Sequence, residues 1–212
     1  MINEKQELSL AERLSESIIS SLQQSSSLLN EKTVEGALAR AKIFGFAGFY
    51  TKGIDSLTEA LALDHNCHEA SARLIIHQIL SKRSEAALAT ATKLASQAPN
   101  FILKETTTGE SISTFTLLGD ALVQNNRIED AIKAYETAKK VAPNDTTSAA
   151  KLAQAYIATG NSTKALEQAD IFQDNPRFQD LQAVLRLGNR DEALLPVVDK
   201  ATLVRQSAAE FL

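Results

Sequence analysis

The sequence contains no tryptophan, one cysteine, one methionine, four prolines and eight glycines in 212 residues. A lone Cys67 cannot close an internal disulfide, which fits a reducing compartment and excludes a disulfide-stapled scaffold. No apolar stretch reaches the 18 residues a membrane-spanning helix needs. The opening residues, Met1-Ile-Asn-Glu-Lys-Gln-Glu, carry acids where a signal peptide carries bases, so a cytoplasmic protein is expected. Basic residues are also in short supply: 22 Lys and Arg against 26 Asp and Glu leave a net charge of −4, with no basic run. A broad nucleic-acid-binding surface is therefore not expected. What is present is enough apolar material, 44% of the chain, to bury a core, which excludes an intrinsically disordered tail. Few helix breakers among abundant Ala, Leu, Ser, Lys, Glu and Gln favour an all-α protein.

The chain repeats itself. From Ser113 to Asp145, the residues Phe115, Leu118, Gly119, Leu122, Ala131, Tyr135, Ala138 and Pro143 stand at set intervals. A step of 34 carries Leu118 to Leu152, Leu122 to Tyr156, Asn126 to Gly160 and Ala131 to Ala165. Backwards, Pro143 to Pro99, Ala131 to Ala87 and Leu118 to Leu74 are each 44 residues, one period plus ten. The polar segment Phe101–Ser111 accounts for the extra ten and reads as a surface loop. A further step of 34 takes Pro99 to His65 and Leu94 to Ala60.

This pattern resembles the tetratricopeptide repeat, with Phe115 in place of the usual tryptophan and Leu122 in place of an aromatic. The resemblance implies an all-α, right-handed superhelical solenoid of helical hairpins. Four repeats are placed at 34–67, 68–101, 112–145 and 146–179, with the insertion at 102–111. The fourth departs at Phe172, where a small residue is expected, and at Pro176, one place early. Residues 180–212 read as a decayed fifth repeat and C-terminal cap, and residues 1–33 as an N-terminal capping segment. Within the latter, Leu10, Leu14, Ile18 and Leu22 form an i, i+4 stripe that predicts an amphipathic helix from about Leu8 to Leu22. Such a helix suits a cap on the first repeat, self-association, or occupation of the concave groove.

Catalysis has no candidate: supported Ser/His/Asp or Cys/His arrangements, phosphate-binding glycine loops and aromatic-basic interleaves are all missing. No cofactor is expected. The cluster Asp64-His65-Asn66-Cys67-His68 offers metal-ligand types, but adjacent residues converge poorly on one ion, so a polar inter-repeat loop is the favoured reading and metal sensing an alternative. His77 reads as a satisfied or exposed histidine.

The resemblance implies that the first helix of each pair lines a concave groove. Groove residues are then Leu38, Lys42 and Gly45, with Phe46 beside them; Ala72, Ile76 and Ile79, with Leu80 beside them; Thr116, Asp120 and Val123; and Ala150, Gln154 and Ile157. Co-chaperone members hold a partner's terminal carboxylate through Lys and Asn in the first unit. Leu38 and Lys42 do not reproduce that clamp. The expectation is a non-enzymatic adaptor or chaperone holding a peptide or helical segment of a protein partner through apolar anchors, with a self-associating scaffold as the alternative.

Overall fold

In the computed structural model, the described residues are 27–104, 111–143, 145–172, 174 and 179–188. The amphipathic helix expected near Leu8–Leu22 and the cap expected beyond 188 lie outside them. The described elements are α1 (Ser27–Asn30), α2 (Val34–Phe46), α3 (Tyr50–Leu63), α4 (His68–Leu80), α5 (Ser84–Gln97), β1 (Ile102–Lys104), β2 (Ser111–Ser113), α6 (Thr114–Gln124), α7 (Ile128–Val141), α8 (Thr146–Ala158), α9 (Ser162–Phe172) and α10 (Gln179–Gly188). Successive helices pack on one another in chain order from α1 to α10, the β hairpin standing between α5 and α6. This is an all-α repeat fold. Among the described residues no helix is long and apolar enough to cross a membrane.

The turns within the pairs explain why the period is legible. In each, one residue takes a left-handed backbone: Gly48, Lys82, Asn126 and Gly160, with φ of 77°, 60°, 59° and 75°. From 48 to 82 is 34 residues, from 82 to 126 is 44, and from 126 to 160 is 34. Each turn closes with the same two backbone bonds of a Schellman motif. The N–H groups of Phe49, Arg83, Arg127 and Asn161 donate to the carbonyls of Phe44, Gln78, Leu122 and Tyr156 at 2.8 to 2.9 Å. Those of Gly48, Lys82, Asn126 and Gly160 donate to Gly45, Ile79, Val123 and Ile157 at 2.9 to 3.0 Å. Helix-end carbonyls are thereby satisfied without side chains. At the start of the first helices, Thr33, Ser113 and Asp145 accept from Gly36, Thr116 and Thr147 N–H groups. Cys67 occupies the same place before α4 and supplies no side-chain cap.

Small residues set the spacing of the helices. Ala37, Ala41, Ala60, Ala87, Ala91, Ala131, Ala138 and Ala165 are completely buried. Gly119 lies against the Tyr135 ring, where an added Cβ would come within 2.3 Å of it. At the first joint the contact is reversed: Gly53 of α3 receives the imidazole of His77 from α4, again with only 2.3 Å for a Cβ. The His77 nitrogens lie 2.9 Å from the Arg73 carbonyl oxygen and 3.2 Å from that of Ala41, and the ring meets Tyr50 edge-on. His77 is a satisfied core histidine.

The two ends of the insertion pair as strands, while its polar centre, 105–110, lies outside the described residues. Ile102, Leu103 and Lys104 pair antiparallel with Ser113, Ile112 and Ser111. Leu103 and Ile112 join the core that contains Ile76, Ile79, Leu94 and Leu117. Thr114 ties the hairpin base down, its N–H donating to the Phe101 carbonyl at 3.0 Å and its hydroxyl to that of Ala98 at 2.9 Å. Phe172, where a small residue was expected, is fully buried in the last core with Leu181 and Leu185 of α10.

Candidate functional site

The expected groove residues divide into two kinds. Leu38 and Lys42 of α2 are half-buried, and Phe46, one turn further on, is 72% exposed. Positions i, i+4 and i+8 share a helix face, so these three form one accessible stripe. Lys42 reaches Glu69 of α4 at 3.5 Å, with both side chains exposed enough for water to weaken the pair. Val123 of α6 and Gln154 of α8 are also half-buried. They meet across a shallow open cleft lined further by Ile128, Tyr135, Lys151, Ala155 and Ala158.

The others are not free surface. Ile76 and Ile79 are each 3% exposed, Thr116 0%, Asp120 4% and Ile157 8%. Gly45, Ala72 and Ala150 are buried too, and Leu80 is half-buried. The expectation that Ile76 and Ile79 form an open apolar stripe is corrected: both sit in the central core, which the hairpin residues Leu103 and Ile112 complete. The hairpin adds apolar surface at this joint, and burying a side chain of that size is worth about 1.5–3 kcal/mol.

Thr116 and Asp120 belong to a buried polar seam between α6 and α8. The Thr116 hydroxyl lies 2.8 Å from that of Ser113 and 2.7 Å from that of Ser148. Ser148 in turn donates to the Asp145 carboxylate. Burial raises the Asp145 pKa above the usual carboxylate value, against the pull of its Ser148 and Thr147 hydrogen bonds and of Lys151. One Asp120 oxygen accepts from the Tyr135 hydroxyl at 2.7 Å, and the other from the Lys151 ammonium at 2.5 Å. Burial first, and then the Asp120 charge, hold the Tyr135 hydroxyl well above the tyrosine range. Sequence reasoning missed Lys151 altogether. The available signal was an acid and a base on successive first helices, 31 residues apart.

The Asp64–His68 segment forms a turn. Asp64 accepts from the Asn66 N–H at 2.9 Å, and the His68 ring packs against Phe101. Among the described residues, no three His, Cys, Asp or Glu side chains gather where they could hold an ion.

Residues 116–177 match the tetratricopeptide repeat family model. This segment of the chain is similar to tetratricopeptide repeats. Solved structures similar to it include a MamA crystal structure at 15% identity, covering 82% of this chain and 89% of that one with a TM-score of 0.59. Another is MamA from residue 41 to its end from Desulfovibrio magneticus RS-1, at 18% identity, 80% and 97% coverage and a TM-score of 0.57. At such identities the likeness speaks for the fold alone. A search of curated proteins gives no match. Among the described residues, the α2 stripe and the Val123–Gln154 cleft are accessible and flank a packed interior.

Proposed function

We propose that this protein is a non-enzymatic interaction module, an adaptor or chaperone, that holds a peptide or helical segment of a partner protein. The supporting observation is Phe46, 72% exposed on the stripe with Leu38 and Lys42. Aromatic side chains are enriched in interface cores, and a large ring left in water gains about 1.5–3 kcal/mol on burial. Lys42, whose ion pair with Glu69 is exposed, is free to exchange that partner for an acidic one at little cost. Val123 and Gln154 line a second accessible cleft, between the third and fourth pairs.

Phe46→Glu tests the reading. Phe46 belongs to none of the buried clusters, so the variant is expected to unfold within about 0.5 kcal/mol of the parent. Proteins that co-purify with the parent chain are expected to be lost from the variant, as read by quantitative mass spectrometry. An unchanged set of co-purifying proteins overturns the proposal.

A further inference from the structure

The hairpin is a sheet of two strands, so each strand has an outer edge. β2 runs straight into α6 and supplies that helix with its cap, Ser113. β1 has β2 as its main packing neighbour among the described elements. One bond tells which of its backbone groups face outward. The Phe101 carbonyl accepts from the Thr114 N–H at 3.0 Å and so points toward β2. In a trans peptide the following N–H points the opposite way, which turns the Ile102 N–H outward. Antiparallel pairs alternate between bonded and non-bonded, so Leu103 with Ile112 is the next bonded pair, and the Ile102 carbonyl and Lys104 N–H face outward as well. Among the described residues, none of these three groups has a hydrogen-bond partner. The strand that carries them is fixed in place, because Leu103 beneath it is 2% exposed in the central core. On its other face Ile102 is half-buried and Lys104 exposed, and Lys104 makes no ion pair among the described residues.

We propose that the outer edge of β1 is a docking site for an extended segment of a partner protein, which adds as a third strand with an acidic residue opposite Lys104 and an apolar residue opposite Ile102. Main-chain bonds to Ile102 and Lys104 hold the strand, and a preformed edge spares the cost of ordering it on binding. Charge decides the occupant. Two copies of this chain pairing edge to edge would bring their Lys104 side chains together, which is how edge lysines deter self-pairing. An acid on the incoming strand turns the same side chain into a favourable cross-strand partner. Side chains on one face of a strand are two residues apart, so an antiparallel partner carries its acid two residues before its apolar anchor. The site lies between the second and third helical pairs, apart from the α2 stripe, and does not rest on the function proposed above.

The test uses the full chain labelled with nitrogen-15 and, as probe, the acetylated and amidated peptide Thr-Glu-Val-Ile-Thr-Val at millimolar concentration. The Ile102 and Lys104 amide signals are expected to shift and their hydrogen exchange to slow about fivefold, while the Leu103 amide, already bonded to β2, changes little. Exchanging the glutamate of the peptide for lysine is expected to weaken binding about threefold. Lys104→Pro removes an outward N–H without breaking a bond to β2 and is expected to abolish the response at Ile102 with the Leu103 amide still protected. Lys104→Thr keeps the N–H and is expected to bind both peptides equally. Signals at Ile102 and Lys104 that do not move, or that respond alike in the parent and Lys104→Pro, overturn the proposal. Slow exchange of these two amides before peptide is added, or slowing that follows protein concentration, means that this chain or a second copy already covers the edge and overturns it too.

Discussion

Gln78 stands where the third and fourth units carry Leu122 and Tyr156, and the core it enters has no use for its carbonyl. Its Oε1 is buried without a hydrogen-bond partner. Leaving such an acceptor unsatisfied costs about 1–3 kcal/mol. Gln78→Leu is accordingly expected to stabilise the protein by about 1 kcal/mol, seen as a higher urea midpoint at unchanged slope. His77 supplies a pH dependence of known sign. Burial lowers its pKa below the ordinary 6.5, outweighing the hydrogen bonds to the Arg73 and Ala41 carbonyls. The unfolded chain therefore takes up this proton first as the pH falls. Its contribution to stability is complete above about pH 6.5 and declines below it. Comparing urea midpoints from pH 7.5 to 5, the parent is expected to lose more stability than His77→Gln, and parallel curves would refute the assignment.

At the scale of elements, the four turns share one backbone path but not one residue. Gly48 and Gly160 adopt positive φ freely and Asn126 tolerates it, whereas Lys82 carries the steric cost of a Cβ in the left-handed region. Lys82→Gly is expected to gain about 0.5–1 kcal/mol, measured by thermal or chemical unfolding. A loss would mean that the Lys82 side chain has a role beyond the turn. The hairpin shows why some elements escaped the sequence. Three-residue strands are too short for a period to register, and the polar tip between them hid Leu103 and Ile112, the two residues that anchor the insertion in the core.

For the whole molecule, a stack of helical pairs is stabilised joint by joint. Among the described residues, three buried clusters follow one another along the chain, and Leu88, Leu118, Val123 and Ala158 border both the second and the third. The Asp120–Lys151 pair secures the joint between the third and fourth pairs. Lys151→Met would strand a buried carboxylate, at a cost of about 3–5 kcal/mol. Native-state hydrogen exchange is expected to show α8 and α9 opening well before α2 to α5. Restoring neutrality with Asp120→Asn in the same chain should recover part of the loss, because the amide oxygen still accepts from Tyr135.

The sequence by itself determined that this protein is a helical repeat. A period of 34, broken once by ten, reflects a turn geometry that local backbone bonds enforce, and local bonds leave a local signature. Alanine and glycine at the close approaches were legible for the same reason: each must recur where two helices touch. Tertiary structure alone decided which of the first-helix side chains remain accessible. Phe46 and Leu80 occupy corresponding apolar places, 34 residues apart, yet Leu80 is half-buried against the second core and Phe46 is 72% exposed. The difference depends on what else packs there, chiefly a hairpin inserted after α5, and on pairings such as Asp120 with Lys151 that join residues far apart in the chain. Burial is a property of the neighbours a side chain meets, and a single sequence states the side chain without stating the neighbours.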